Sequence, residues 1–212
     1  MSPTSSKEGY RGSRRRMAKA VFLDRDGVIN KDPGGWTKYE YVTRWEDFHF
    51  LPGVFEALRK LNRSGMRTVV ISNQAGVSKG FFSKKDLDEV TRRMTGDINK
   101  NGGNIEKVYY CIHKDEDNCN CRKPKAGLLE TAKQELGIDL NNSYFIGDTR
   151  TDVMAGRLAG CRTIFVLSGK ATEEDVKKWD EKPDYVFKDL LDAAGWLIKK
   201  EERKARRARD RD

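Results

Sequence analysis

No stretch of the chain is apolar for anything near the roughly 20 residues a membrane-spanning helix needs. A helical membrane protein is thereby excluded. The polar, basic first 17 residues also lack the apolar middle of a secretory signal, so a cytoplasmic protein is expected. No internal repeat divides the sequence, which argues against a solenoid. Cysteine is scarce: Cys111, Cys119, Cys121 and Cys161 are the only four. Without a secretory signal, a disulfide framework is not expected. The net charge of +9 is missing from the middle of the chain. Residues 1–17 carry a net +4, residues 198–212 another +4, and the 180 residues between them only +1. Basic termini of this kind read as solvated tails, giving at most weak, salt-sensitive attraction to nucleic acid.

The remaining sequence, in a chain of 212 residues, suits one domain with tails. The expected division is a basic disordered tail over 1–18, a catalytic domain over 19–192, and a C-terminal helix running into a basic tail over 193–212. Short apolar runs alternate with helical periodicity. Strands are predicted at 20–24, 68–71, 108–110, 144–146, 163–167 and 184–187, each a run of apolar or β-branched residues bounded by Gly or polar residues. Between them, Val54, Leu58 and Leu61 mark one helix face, and Leu87, Val90, Met94 and Ile98 another, opened by a Ser83–Asp86 capping box. A helix is predicted from about Gly127 to Leu136, stopped by Gly137, and another carries Val153, Met154 and Leu158. A short helix over 173–179 follows, and a last helix dissolves into the basic tail. Such alternation predicts a three-layer α/β/α, Rossmann-like domain with a parallel sheet.

In parallel sheets the working residues sit just past the carboxyl ends of the strands. The first strand there delivers Asp24 and Asp26, two apart and able to face the same way in extended chain, with Gly27 for a sharp turn. The second delivers Ser72, followed by Asn73 and Gln74. The fourth delivers Asp148, with Asp152 four residues on. Lys123, beside Arg122, stands in the loop after strand three. Three acids, a hydroxyl and a lysine on one rim are hard to explain as solvated surface. Asp152 reads either as a partner behind the site or as an acid favoured by a helix N-terminus. The connection from Asn30 to Phe50 is long and aromatic, either a lid or a small satellite core.

A second constellation is Cys111-x-His113-x₅-Cys119-x-Cys121. Three thiols and an imidazole at this spacing make a closed tetrahedral zinc site of the structural kind. Such a staple would position Arg122 and Lys123. Asp115, Glu116 and Asp117 between the ligands read as solvated loop acids, Cys161 as a small core residue, and His49 as a loop histidine without a partner.

The order Asp-x-Asp-Gly (24–27), Ser-Asn-Gln (72–74), Arg-Lys-Pro (122–124) and Gly-Asp-x-x-x-Asp (147–152) resembles the haloacid dehalogenase-like phosphatases over about residues 20–190. It is similar to the branch whose members act on heptose 1,7-bisphosphate or histidinol phosphate. The resemblance implies a Mg²⁺-dependent phosphomonoester hydrolase with no large cap. Asp24 would be the nucleophile forming an aspartyl-phosphate, and Asp26 the general acid and base. Ser72, Arg122 and Lys123 would bind the transferring phosphoryl group. Asp24, Asp148 and the backbone carbonyl of Asp26 would hold Mg²⁺. Asp32, Gly34, Gly35, Asn73, Gln74 and Thr149 would join Arg122 and Lys123 around a small phosphorylated sugar or alcohol. The branch also carries a zinc-stapled loop before its Arg-Lys pair. Gly76-Val77-Ser78-Lys79-Gly80 and the loop from Asn30 resemble the heptose enzymes. The short spacer from His113 to Cys119 and Thr151-Asp152 resemble the histidinol-phosphate enzymes, and the heptose sugar is favoured of the two. A monomer is expected. A nucleic-acid 3′-end phosphatase that uses its basic tails, and a non-catalytic zinc-stapled binding module, are the alternatives from other classes.

Overall fold

The structure, a computed structural model, describes residues 17–210. Residues 1–16 of the expected basic tail, and residues 211 and 212, lie outside the described residues. In chain order the elements are β1 (Ala20–Leu23), α1 (Val54–Arg63), β2 (Arg67–Asn73), α2 (Lys84–Lys100), β3 (Lys107–Cys111), α3 (Gly127–Leu136), β4 (Tyr144–Gly147), α4 (Arg150–Leu158), β5 (Arg162–Val166), α5 (Glu173–Lys178), β6 (Tyr185–Phe187) and α6 (Leu190–Arg209). The six strands pair in parallel in the order β3-β2-β1-β4-β5-β6.

Side chains alternate across each strand, and the two faces of the sheet are covered by different helices. Val21 and Leu23 of β1 point to a core shared with Leu58 and Leu61 of α1, Val90 and Met94 of α2, and Leu190 and Leu197 of α6. Ala20 and Phe22 point the other way, toward Leu129 and Ala132 of α3 and Ala155 of α4. A smaller cluster of Val153, Phe165 and Val176 seats α5. This is the expected three-layer α/β fold, buried on both faces as parallel sheets require.

The strand order reverses direction between β1 and β4, so a crevice opens at the carboxyl ends of these two neighbours. The backbone amide of Asp24 donates to the carbonyl of Ile146 at 3.0 Å, which carries the pairing past the end of β1 and fixes Asp24 at the crevice mouth. Nothing the size of a cap domain is inserted among the described residues; the long connections are loops.

Helix α4 turns Val153, Ala155 and the bare backbone of Gly156 to the sheet, and Leu158 is 68% exposed. Two local expectations need correction. The C-terminal helix does not dissolve where the charges begin. It continues to Arg209, its Lys, Arg, Ala and Glu residues being good helix formers, with Glu201 receiving Lys204 at 3.0 Å and Lys19 at 2.7 Å. His49 does have partners: its ring packs 5.1 Å from Trp36, and its amide donates to Asn30 Oδ1 at 2.6 Å. The aromatic loop divides its labour. Trp45, Phe48 and Phe50 cluster with Phe55 on the core, while Trp36 and Tyr39 stand exposed at the rim.

Candidate active site

Asp24, Ser72, Lys123, Asp148 and Asp152 come from four segments and are all buried at the crevice. Lys123 Nζ ties them together, lying 3.0 Å from Asp24 Oδ1, 2.5 Å from Asp152 Oδ1 and 3.1 Å from the carbonyl of Ile71. Its backbone is gripped from both sides by Asn73, whose Oδ1 accepts from the Lys123 amide and whose Nδ2 donates to the Lys123 carbonyl, both at 3.1 Å. The loop of Lys123 is thus fixed to the end of β2. Asp152 is the partner behind the site: Oδ1 meets Lys123, and Oδ2 accepts from the hydroxyl and amide of Thr149 at 2.6 and 3.0 Å.

Asp148 sits in a cage that admits no side chains. A Cβ on Gly27, whose φ is +81°, would lie 2.2 Å from Asp148 Oδ2, and one on Gly169 would lie 2.0 Å from it. Asp148 Oδ2 accepts from the Lys170 amide at 2.9 Å, while Oδ1 is buried with no hydrogen-bond partner among the described residues. Ligand oxygens of Asp24, Asp148 and Asp152 lie within 4.8 Å of one another. Burial, then the charges of Asp152 and Asp26, push the Asp24 carboxyl up to about 6 against the pull of Lys123. Burial, then Asp152 and Asp24, raise Asp148 well above the usual carboxylate range. Burial opposes the charge on Lys123, but Asp152 and Asp24 outweigh it and raise its pKa. One lysine does not balance three buried acids, and this is the electrostatic setting of a divalent cation site.

Asp26 is held differently. Its Oδ1 accepts from Asn30 Nδ2 at 2.8 Å and Arg25 Nε at 3.2 Å; its Oδ2 accepts from Arg25 Nη2 at 2.8 Å and Gln74 Nε2 at 3.0 Å. Gln74 Nε2 also reaches Ser72 Oγ at 3.2 Å, so Asp26 and Ser72 adjoin. Arg25 and Asn30, both fully buried, were missed in the sequence reading. An arginine between two acids has the composition of a surface turn, so no local signal marked Arg25 as buried.

Other expected contacts are placed as follows. Asp32, Gly34 and Gly35 line a cavity of about 470 Å³ with Lys31, Trp36, Glu40 and Ser168–Lys170, against the backbone that holds Asp148. Asn73, Gln74 and Thr149, expected around the substrate, turn their side chains to Lys123, Asp26 and Asp152. Arg122 Nε donates to Asp115 Oδ1 at 2.5 Å, and the Lys114 amide to Asp117 Oδ2 at 2.8 Å. Asp115, Glu116 and Asp117 are exposed, as read, and the first and last of them also bond within the loop. A cleft of about 500 Å³ lies at the other end of the strands, among Ala18, Met66 and Ile198, remote from these acids.

The four residues of the Cys/His cluster converge beside the crevice. Sγ of Cys121 is 3.0 Å from that of Cys111 and 3.3 Å from that of Cys119, and His113 Nδ1 is 3.1 Å from Cys121 and 3.8 Å from Cys111. A tetrahedron with metal–sulfur bonds of about 2.3 Å has edges of about 3.8 Å, so the four donors are gathered slightly tighter than a zinc ion would hold them. Burial and the neighbouring Cys111 and Cys119 raise the Cys121 thiol, and burial raises Cys111. Crowded thiols of this kind lose their protons to a dication rather than to water.

A relative from Pasteurella multocida, named D-glycero-beta-D-manno-heptose-1,7-bisphosphate 7-phosphatase, is 38% identical over 183 residues, covering 83% of this chain and 95% of its own. The chain belongs to the haloacid dehalogenase-like phosphatases. The HAD-hydrolase-like family model matches residues 120–193 of this phosphatase. A relative of the same name from Vibrio cholerae is 42% identical over 167 residues, covering 74% of this chain and 87% of its own. Among solved structures, D,D-heptose 1,7-bisphosphate phosphatase from B. bronchiseptica, complexed with magnesium and phosphate, superposes with a TM-score of 0.78 at 27% identity, covering 86% of this chain and 99% of that one.

Proposed function

We propose that this phosphatase removes the 7-phosphate of D-glycero-D-manno-heptose 1,7-bisphosphate, using Mg²⁺ at Asp24, Asp148 and the Asp26 carbonyl, with Zn²⁺ closing the Cys/His cluster. The observation that carries the substrate reading is the 470 Å³ cavity beside Asp148, whose lysines, carboxylates and Trp36 suit a phosphorylated polyol. The names of the relatives support the same sugar. The magnesium reading rests on the partnerless Asp148 Oδ1 and the raised Asp24 and Asp148. When bound, the ion supplies charge that cancels repulsion between the carboxylate and the phosphate dianion.

The chain's own groups do the rest. Asp24 attacks phosphorus and forms an acyl phosphate. Asp26 gives a proton to the departing sugar oxygen, then takes one from the water that hydrolyses the acyl phosphate. Lys123, held between Asp24 and Asp152, and Ser72 stabilise the charge spreading over the phosphoryl oxygens. Arg122 can leave the exposed Asp115 carboxylate for a substrate oxygen at small cost, because an exposed ion pair contributes only about 0–1 kcal/mol.

Initial rates of phosphate release on heptose 1,7-bisphosphate, histidinol phosphate, fructose 1,6-bisphosphate and a 3′-phosphorylated oligonucleotide test the substrate. The heptose is expected to lead in kcat/KM by at least about tenfold, the order of discrimination a few sugar contacts supply. A tenfold preference for histidinol phosphate, or salt-sensitive activity on the oligonucleotide, would replace this reading. Gly169→Ala tests the cation site: displacing Asp148 is expected to raise the magnesium concentration for half-maximal activity and cut turnover by about 10²-fold, the cost of a misplacement near 1 Å. An unchanged magnesium requirement would show that Asp148 does not hold the ion.

A further inference from the structure

We propose that Arg25 is a positioning residue for the general acid, fixing the plane of the Asp26 carboxylate so that its proton can reach the leaving oxygen. The inference rests on Asp26 being that acid. The side chain of Arg25 is completely removed from solvent, yet among the described residues its only carboxylate partner is its sequence neighbour, gripped through Nε and Nη2 at 3.2 and 2.8 Å. The third nitrogen, Nη1, is buried with no hydrogen-bond partner among the described residues, and the guanidinium carbon lies 5.7 Å from the centre of the Tyr110 ring. The Tyr110 hydroxyl is in turn tied to Thr91 Oγ1 at 3.0 Å.

A buried guanidinium with an idle nitrogen is a costly way to stabilise a fold, since desolvation of the ion consumes most of what a single pair returns. A planar fork does something a point charge cannot: two parallel hydrogen bonds set the rotation of the carboxylate about its own axis. Asn30 holds the second lone-pair direction of Oδ1, and on Oδ2 the Gln74 amide, which is shared with Ser72, gives up its place to the proton that the general acid carries, while the fork keeps the carboxyl plane fixed. The clasp is also joined to the substrate side. Gln74 Nε2 is shared between Asp26 and Ser72, and Asn30 Oδ1 accepts from the amide of His49 at 2.6 Å, where the aromatic loop returns to the core. The electron-rich ring of Tyr110 lies 5.7 Å behind the guanidinium, a cation–π contact. For Arg25 the plain structural alternative is a core charge that merely neutralises its neighbour. The two roles make different predictions about chemistry.

A misaimed acid harms only those steps that need its proton. The value of kcat/KM reports events up to departure of the leaving group, which an alkoxide cannot survive unprotonated but p-nitrophenolate can. Hydrolysis of the acyl phosphate needs Asp26 as base whatever the substrate. Arg25→Met and Arg25→Lys are therefore assayed on a sugar or alkyl phosphate and on p-nitrophenyl phosphate, with Asp26→Asn alongside. Both Arg25 variants are expected to lose about 100-fold in kcat/KM on the alkyl phosphate and less than about fivefold on p-nitrophenyl phosphate. Rapid mixing with p-nitrophenyl phosphate is expected to show a burst of nitrophenol close to one per enzyme, followed by slow turnover. Equal losses on both substrates without a burst, or wild-type behaviour of Arg25→Lys, would overturn the proposal. The lysine variant keeps the charge and keeps the test decisive where methionine does not fold. Should Asp26→Asn itself retain kcat/KM on the alkyl phosphate, the assignment of Asp26 falls; should it lose it while the Arg25 variants do not, only the role of Arg25 falls.

Discussion

Asp24→Asn is expected to lower turnover by about 10⁵-fold, the scale on which losing a covalent nucleophile is felt, while making the magnesium-free protein more stable. The amide keeps the shape of the carboxylate but cannot accept a phosphoryl group. Its stability gain follows from the electrostatics. Burial, with Asp152 and Asp26, pushes the Asp24 carboxyl up to about 6, and Lys123 only partly opposes them. An acid raised in the folded state contributes stability that is full below its ordinary value of 3.8 and is lost as the pH climbs through about 6. Above that pH the wild type carries an ionised buried acid; the asparagine variant does not. In the absence of divalent cations at pH 7.5 the variant is expected to melt about 3–6 °C higher, and the difference to vanish below about pH 4. Magnesium should narrow or reverse the gap, because it binds the folded wild type better than the variant. Melting curves at the two pH values with and without magnesium, beside a phosphate-release assay, check each part. A variant retaining more than a hundredth of wild-type turnover would remove Asp24 from the nucleophile's role.

How much of this was legible in the sequence depended on whether local pattern or distant contact decided the structure. Strand ends were readable because a buried parallel strand is a short apolar run with an abrupt polar stop. Asp24, Ser72 and Asp148 each stand at such a stop, and the bounds of α3 were read from the helical run ending at Gly137. The rim therefore followed once the sheet was taken as parallel. Arg25 was not readable in this way: an arginine between two acids has the composition of a surface turn, and only the tertiary position of Tyr110 and Gln74 turns it inward. Gln74 and Thr149 were recognised as belonging to the site, but which neighbour a polar side chain faces is set by partners 48 residues away in one case and by a helix cap in the other.

Stripping the Cys/His cluster of metal, or replacing Cys121 by serine, is expected to cost about 10²-fold in kcat/KM and to release the loop from 112 to 122 without melting the sheet. From residue 112 to 122 the loop has no buried side chain; Cys111 and Lys123 at its ends are buried. It is held by isolated hydrogen bonds, among them Ser78 Oγ to the carbonyl of Ile112 at 2.5 Å and Lys125 Nζ to Asn118 Oδ1 at 2.7 Å. Ordering some ten residues costs about 1–2 kcal/mol each, and a net hydrogen bond returns about 1 kcal/mol. The loop cannot hold itself on those terms. A structural zinc ion supplies about 10–16 kcal/mol on binding a comparable donor set, enough to decide whether the loop is ordered. Arg122 follows Cys121 directly and would lose its place, whereas Lys123 keeps the Asn73 clamp and its ion pairs, so a remnant of activity survives. Hydrogen exchange on the chelated protein should show fast exchange confined to this loop and slow exchange retained in β1, β2 and β4. Zinc is expected to restore the activity, and magnesium alone, returned in excess after chelation, is not. Full activity in the metal-stripped protein would mean that protein contacts alone hold the loop and that the four donors are not needed for catalysis.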